Sequence, residues 1–374
     1  MKILQLVKYY YPSSGGMESV VKDLSEGLVS SDESINVTIY TNNHKRSAKL
    51  IDVTFKNLYI IKEKTLFFFK SQPLNFRYRL LKKLISDSDI IHHHYPYPNI
   101  ELSLLLNKRL LANKRLIITW HANIENSRWF FLKYFYNLII NQLLNLADYI
   151  VITSPVLLSQ SDILKKHKEK IFEIPLSYNQ NLCVSPVVRK FPASRKFKIL
   201  FVGKLRKYKG LDYLIEAIRD LDIELFIIGS GEEESHLANF ISIHNLEYKV
   251  FFKKNISNYE LKNYYLESDL FVLQSINEAE AFGVVQLEAM ANGLPVINTK
   301  LNSGVPFVSI NEYSGLTVMP SNSIELKNAI TRILQDPMLY EKFSYNALIR
   351  SSEFTSEKLV NKYLELYKSL LKKN

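Results

Sequence analysis

The sequence predicts an α/β protein made of two successive units, each with a parallel sheet. Three observations carry this prediction. Short apolar runs of strand length recur along the chain, helix-length segments with one apolar face lie between several of them, and the series stops and restarts around one proline-interrupted stretch. The first series falls at residues 3–7, 37–40, 58–61, 90–92, 116–119 and 149–153, and the second at 198–202, 225–228, 250–252, 270–273 and 295–298. Between them, residues 177–196 hold Pro186 and Pro192 and keep no apolar face, which places a seam there. The expected domains are residues 1–185 and 186–374. At 374 residues with 47% hydrophobic side chains, the chain has enough apolar material for two cores. Near its end, residues 356–372 set Leu359, Tyr363, Leu366 and Leu370 on one helical face. Such a stripe needs a surface, and residues 355–374 are expected to cross back onto the first domain.

Charge is uneven. The net charge is +11, and residues 1–178 carry 24 of the 48 Lys and Arg but only 15 of the 37 Asp and Glu. A basic face of this kind suits nucleic acid, anionic lipid or substrate phosphate, and charge alone does not choose among them. Cys183 is the single cysteine, so no internal disulfide forms. The most apolar long stretch, residues 130–152, includes Lys133, Asn137, Asn141, Gln142, Asn145 and Asp148, too polar for a membrane span. With no signal peptide visible, a soluble or peripheral cytoplasmic protein is expected.

Open parallel sheets bind ligands at the carboxyl ends of their strands, and two such sheets facing each other would form a cleft. The motifs cluster at those ends. After the first strand, Gly15 and Gly16 precede a helix whose Met17, Val20, Val21, Leu24 and Leu28 share a face. Paired glycines admit a ligand close to the backbone, and a helix start favours phosphate. An ordinary tight strand-to-helix turn has the same signature.

His92, His93 and His94 invite a metal reading, yet adjacent strand side chains point to opposite faces, so only His92 and His94 could share an ion. A strand end at the rim of the cleft is the expectation here, and no metal site is assigned. His121 follows the strand at 116–119, where an imidazole suits a sugar hydroxyl, although a lone histidine is commonly structural.

The strand at 198–202 leads into Gly203 and a loop with four cations, Lys204, Arg206, Lys207 and Lys209, closed by Gly210. Cations at a strand end can neutralise a diphosphate leaving group, while a solvated charge run would look alike. Gly229 and Gly231 form a further glycine turn suited to a nucleotide base or ribose. The stretch from Glu280 to Glu288 follows the strand at 270–273, with Gly283 at a turn and a helix expected to about Asn292. Eight residues span about 12 Å if helical, close to the reach from a sugar across a diphosphate to a ribose. Glu280 would hold sugar hydroxyls, Glu288 the ribose, and the amides of Phe282, Gly283 and Val284 the phosphates.

Taken together these motifs resemble the family 4 glycosyltransferases of the GT-B fold, two Rossmann-like domains across a cleft, also called glycosyl transferases group 1. The resemblance rests on Glu280 and Glu288 separated by seven residues, with Ala281-Phe282-Gly283 and Glu288-Ala289-Met290 in register. Gly15 and Gly16, His121, and Lys209-Gly210 match the family's glycine pair, cleft histidine and phosphate-binding lysine. The chain departs from the family at Lys204 for arginine, Asn123 for aspartate and Ser177 for glycine. The resemblance implies retention of anomeric configuration, no metal and no cofactor. It assigns Lys204 and Lys209 to the departing diphosphate, Glu280 and His121 to the sugar, and Glu288 to the ribose. Alanine at Glu280 or Lys209 is expected to abolish transfer with the fold intact.

Likeness of Trp120-His121 and of residues 299–308 to mannosyltransferase-like members points to GDP-mannose as donor. Residues 64–70 and 76–83 interleave aromatics with cations, as a membrane-surface patch would, so a glycan or polyprenyl-diphosphate-linked acceptor in bacterial surface-polysaccharide synthesis (O-antigen, capsule or exopolysaccharide) is expected, at an anionic membrane surface. Buried aromatics beside solvated lysines would read the same. A non-catalytic nucleotide-sugar-binding protein is the alternative; nucleic-acid binding would account for the charge but not for the two glutamates.

Overall fold

The computed structural model describes residues 1–11, 16–42, 50–63, 65, 67–69, 72–74, 79–123, 133–183 and 186–372. The chain divides into two compact units, Met1–Leu176 with Ser356–Asn374, and Ser177–Thr355.

In the first unit the strands are β1 (Lys2–Leu6), β2 (Asn36–Asn42), β3 (Leu50–Phe55), β4 (Leu58–Glu63), β5 (Phe67–Phe69), β6 (Gln72–Leu74), β7 (Ile90–Tyr95), β8 (Arg115–Trp120), β9 (Tyr149–Ile152) and β10 (Ile171–Glu173). Eight of them form one sheet in the order β10-β9-β8-β7-β1-β2-β4-β3, while β5 and β6 pair separately. All neighbours in the large sheet are parallel except β3 with β4, which pair antiparallel at the edge. The order reverses between β1 and β7. The helix expected after the glycine pair begins at Gly16; Gly15 lies outside the described residues.

The second unit has β11 (Phe197–Val202), β12 (Ile223–Ile228), β13 (Val250–Lys253), β14 (Leu270–Leu273), β15 (Val296–Thr299) and β16 (Gly315–Val318). Its sheet runs β13-β12-β11-β14-β15-β16 and is parallel throughout. This is the doubly wound Rossmann order, and its switch point falls between β11 and β14. The cationic loop and the first glutamate therefore leave adjacent strands at the one place where helices diverge to either face.

The seam lies at Leu176/Ser177, nine residues before the expected boundary at 185/186. Side-chain bonds explain the shift. Asn292 Nδ2 donates to the Leu182 carbonyl at 3.1 Å, and Arg189 donates from Nε to the Asn292 carbonyl and from a terminal nitrogen to the Tyr265 carbonyl. This irregular segment is thus tied to the second unit by polar contacts in both directions, although it has no periodicity of its own.

The helix Ser356–Leu371 belongs to the first unit and buries Leu359, Val360, Tyr363, Leu366, Tyr367 and Leu370. It lies against the helix Gly16–Ser31 so closely that a Cβ on Gly27 would stand 2.3 Å from Val360 Cγ2. Each fully buried leucine contributes about 1.5–3 kcal/mol, so the stripe is a substantial part of this unit's core. Of residues 64–70 and 76–83, Lys64, Leu66, Lys70 and residues 76–78 lie outside the described residues. On the helix Arg79–Asp87, Leu81 and Ile85 are buried and Lys82 and Lys83 are exposed.

Gly27→Ala is expected to cost about 1–3 kcal/mol through overpacking, and adding Val360→Ala to recover much of it, because the obstructing methyl is then gone. Urea unfolding of the wild type, both single variants and the double variant measures the coupling. Additive losses would mean that the two helices do not meet here.

Candidate active site

The loop after β11 is pressed against the end of β14. Gly210 sits at φ +65°, and a Cβ there would lie 2.6 Å from the Gln274 carbonyl oxygen. Only glycine tolerates both the left-handed backbone and that approach. A backbone bond from Ile276 N to Tyr208 O, 2.8 Å, closes the seam between the loops.

The consequence is a buried ion pair. Lys209 Nζ donates to Glu280 Oε2, and Ser275 Oγ donates to the same oxygen at 3.0 Å. Lys209 is 6% exposed and Glu280 9%. The two residues assigned separately to phosphate and to sugar thus meet each other at the switch point. The other loop cations behave differently, since Lys204, Arg206 and Lys207 are all exposed. One cation is built into the fold and three face solvent.

Downstream, Gly283 adopts φ +74° and caps the helix Val284–Ala291. The amides at its start have no intrahelical acceptor, which leaves them available to an anion. Glu280 precedes the cap, so the two glutamates are not on one continuous helix as the 12 Å estimate assumed. The turn is anchored from behind. Gly304 N donates to the Ala281 carbonyl at 2.7 Å, and the Phe282 ring is buried in a cluster with Phe307 and Phe354, over which the Arg350 guanidinium is stacked. Phe282 can therefore offer a ligand only its backbone.

Glu288, half-buried, accepts a 2.7 Å bond from the hydroxyl of fully buried Tyr265. Burial, then the Glu288 charge, pushes that phenol well above its ordinary pKa, so Tyr265 remains a donor. Gly229 and Gly231 have a structural duty that the sequence did not reveal. Cβ atoms there would lie 1.9 Å from the Gly203 carbonyl oxygen and 2.2 Å from the Leu205 carbonyl oxygen. These glycines let two backbone loops touch, so their presence needs no ligand.

In the first unit, His121 follows β8 and is 7% exposed. It stacks on His94 with ring centroids 5.3 Å apart, and its Nε2 lies 3.0 Å from His94 Nδ1. Burial, then the charge of His93, holds its pKa down at about 3, so the ring is neutral at pH 7. The three consecutive histidines are at most 1% exposed, which corrects the expectation of a strand end at a cleft rim. They are buried because each has polar partners. His92 and His94 share a face beneath the C-terminal helix, and His93 points the opposite way to Glu101, Nε2 to Oε1 3.1 Å. Among the described residues no group of three or more His, Cys, Asp or Glu is placed to hold a metal ion, and no helix is long and apolar enough to cross a membrane.

Sequence reasoning missed Ser275, Tyr265, Gln5, Thr119, Tyr363 and Tyr367. One signal was present for the last four: Gln5, His92, His94 and Thr119 interrupt apolar strands, and Tyr363 and Tyr367 repeat at helical spacing.

Residues 14–175 match the family described as Glycosyltransferase Family 4, and residues 188–350 match Glycosyl transferases group 1. Together they take in most of both units. The chain belongs to the family 4 glycosyltransferases of the GT-B fold. This glycosyltransferase is 28% identical over 381 residues to O-antigen chain mannosyltransferase C of Escherichia coli, covering 99% of each chain. Its fold is similar to sucrose-phosphate synthase from Thermosynechococcus elongatus, with a TM-score of 0.80, 23% identity and full coverage of both chains. It is also similar to Anabaena HepE in complex with UDP-glucose, with a TM-score of 0.70 and 19% identity over 99% of this chain and all of that one.

Of the positions that depart from the family pattern, Asn123 is tied into its surroundings and Lys204 is not. Asn123 Oδ1 accepts from Trp120 Nε1 at 2.7 Å and its amide donates to the Leu157 carbonyl at 3.4 Å, tying down the turn that carries His121. Lys204 remains an exposed cation, without the bidentate fork of arginine.

The buried pair changes what a deletion does. Lys209→Met is expected to lower stability by about 3–5 kcal/mol, because it leaves the Glu280 carboxylate buried and unpaired. Adding Glu280→Gln should recover most of that loss. Urea unfolding followed by circular dichroism tests this; a Lys209→Met midpoint equal to wild type would mean the pair is not desolvated.

Proposed function

We propose that this glycosyltransferase moves a hexose, mannose as first choice, from a nucleotide-sugar donor to a glycan or polyprenyl-diphosphate-linked acceptor in bacterial surface-polysaccharide synthesis. In this reading the reaction retains anomeric configuration and uses no metal or cofactor. The observation that carries it is the buried Lys209–Glu280 pair beside the Gly283 helix start at the switch point of the second sheet.

Chemically, breaking the bond between the sugar and the diphosphate leaves negative charge on the departing oxygen. Lys209, the exposed Lys204 and the amides of Phe282, Gly283 and Val284 would stabilise that charge. Glu280, already oriented by Lys209 and Ser275, would accept hydrogen bonds from sugar hydroxyls, and Glu288 would take the ribose. The glycine turn at Gly15 and Gly16 would lie against the diphosphate. The acceptor would enter on the face from which the diphosphate leaves, and no carboxylate is assigned as a covalent nucleophile. The likeness to a mannosyltransferase supports mannose, and the UDP-glucose in HepE supports a nucleotide-sugar donor as a class. An anionic membrane surface would supply a lipid-linked acceptor, and the exposed Lys82 and Lys83 favour it.

A thermal-shift panel of GDP-mannose, UDP-glucose, GDP and UDP tests the donor. The matching nucleotide sugar at 100 times its Kd should add about 2.7 kcal/mol of stability. The Lys209→Met/Glu280→Gln variant should lose at least 10²-fold in turnover, in line with about 10²–10³ for removing one oxyanion donor. A panel in which nothing shifts, or a variant with wild-type turnover, overturns the assignment. Cosedimentation with vesicles containing phosphatidylglycerol at low salt tests the membrane, and absence of binding there removes that part.

A further inference from the structure

Beneath the C-terminal helix of the first unit, side chains from three strands and that helix form one continuous hydrogen-bonded chain. His121 Nε2 lies 3.0 Å from His94 Nδ1, and His94 Nε2 lies 2.7 Å from Gln5 Oε1. Gln5 Nε2 donates to the Tyr367 hydroxyl at 3.3 Å, and that hydroxyl lies 2.7 Å from His92 Nδ1. His92 Nε2 reaches Thr119 Oγ1 at 2.7 Å, and Thr119 reaches the Tyr363 hydroxyl at 2.7 Å. Every member except His121 is at most 2% exposed. His121 ends the chain. Its Nδ1 has no protein partner among the described residues, and the residue is 7% exposed.

A chain of this kind has a direction. A neutral imidazole carries one N–H and one bare nitrogen, so each bond dictates the next. An amide oxygen accepts only, so His94 bears its proton on Nε2 and leaves Nδ1 bare. His121 Nε2 must then donate to that nitrogen. At the other end, the Tyr367 hydroxyl accepts from Gln5 and donates to His92, whose Nε2–H passes on to Thr119.

Reversing the Gln5 amide would reverse every bond and move the His121 proton to Nδ1. The distances oppose that. The 3.3 Å link from Gln5 to Tyr367 is long for a hydroxyl donating to a carbonyl, which prefers about 2.5–3.0 Å, and lies nearer to the roughly 2.7–3.2 Å of an amide N–H. The 2.7 Å link to His94 is short in the way an N–H to oxygen bond is.

We propose that Tyr367, Gln5 and His94 are positioning residues for His121, holding it as the Nε2–H tautomer whose bare Nδ1 accepts a hydrogen bond from a hydroxyl of the donor sugar. The contact with sugar rests on the reading of His121 above; the tautomer does not. Neutrality of the three rings follows from their burial, which holds the pKa of His92 and His94 well below the ordinary value and that of His121 at about 3. A site that accepts a hydroxyl proton rejects a sugar lacking that hydroxyl, because the ring nitrogen would be left unpaired. The C-terminal helix thereby reaches the reacting sugar through three intervening side chains.

Long-range proton–nitrogen correlation on the full chain labelled with 15N-histidine reads the tautomer, with His121 assigned by its loss in His121→Ala. In the wild type, Nε2 should carry the proton and Nδ1 should resonate as a bare nitrogen; a protonated Nδ1 overturns the proposal whatever the variants do. Tyr367→Phe and Gln5→Met should each turn the single His121 species into a mixture. Gln5→Glu, which still accepts from His94, should keep it single. Unchanged His121 signals in both Tyr367→Phe and Gln5→Met would show that the chain does not set the tautomer. With GDP-mannose as probe, Gln5→Met should raise Kd about tenfold and Gln5→Glu should restore it. Equal Kd in all three with the tautomer result standing removes the sugar contact alone, whereas GDP-mannose failing to bind the wild type sinks the donor reading and leaves the tautomer intact.

Discussion

The Lys209–Glu280 ion pair organises the second unit, because a buried charge is tolerable only with a partner and further hydrogen bonds at hand. Lys209 and Glu280 belong to loops from adjacent strands, β11 and β14, and each satisfies the other, with the Ser275 hydroxyl completing the carboxylate. Several backbone choices serve that meeting. Gly210 allows its loop to lie on the Gln274 carbonyl, Gly229 and Gly231 brace the same loop from the β12 side, and the Phe282, Phe307 and Arg350 cluster holds the turn after Glu280 in place. A ligand arriving at the switch point meets charges whose geometry is already set, and this lowers the reorganisation required during transfer.

The first unit solves a related problem without net charge. Three strands bring polar side chains into the interior where apolar ones would be usual, and the cost of burying them is offset by a chain of hydrogen bonds that includes two tyrosines of the C-terminal helix. That helix therefore does more than cover an apolar face. It supplies the Tyr367 hydroxyl, without which His92 Nδ1 and Gln5 Nε2 would lose their partner, and so it is coupled to the orientation of His121 at the far end.

The strand series was legible because parallel strands buried on both faces read as continuous apolar runs, and all eleven expected runs became strands. The strands that escaped notice are short or lie at edges: β10 has three residues, and β16 begins with glycine and has four. Three residues are too few for a period to show, and the glycine that opens β16 shortens its apolar run. The Glu280–Glu288 spacing was equally legible, yet the 12 Å span drawn from it assumed one helix, whereas the helix starts only after Gly283. Glycines were the least informative residues by themselves, since Gly229 and Gly231 look like a ligand turn but are required by the backbone they touch.

Sequence alone determined the two α/β units, the family, and which residues stand at strand ends, because those properties follow from local periodicity and motif spacing. Tertiary structure decided which side chains meet. Nothing in the order of residues says that Lys209 closes on Glu280, 71 positions away, or that Tyr367 completes a chain begun by Gln5, 362 positions earlier. Such partnerships arise where strands far apart in sequence become neighbours, and the energy of a buried charge or hydroxyl depends on the partner it finds there.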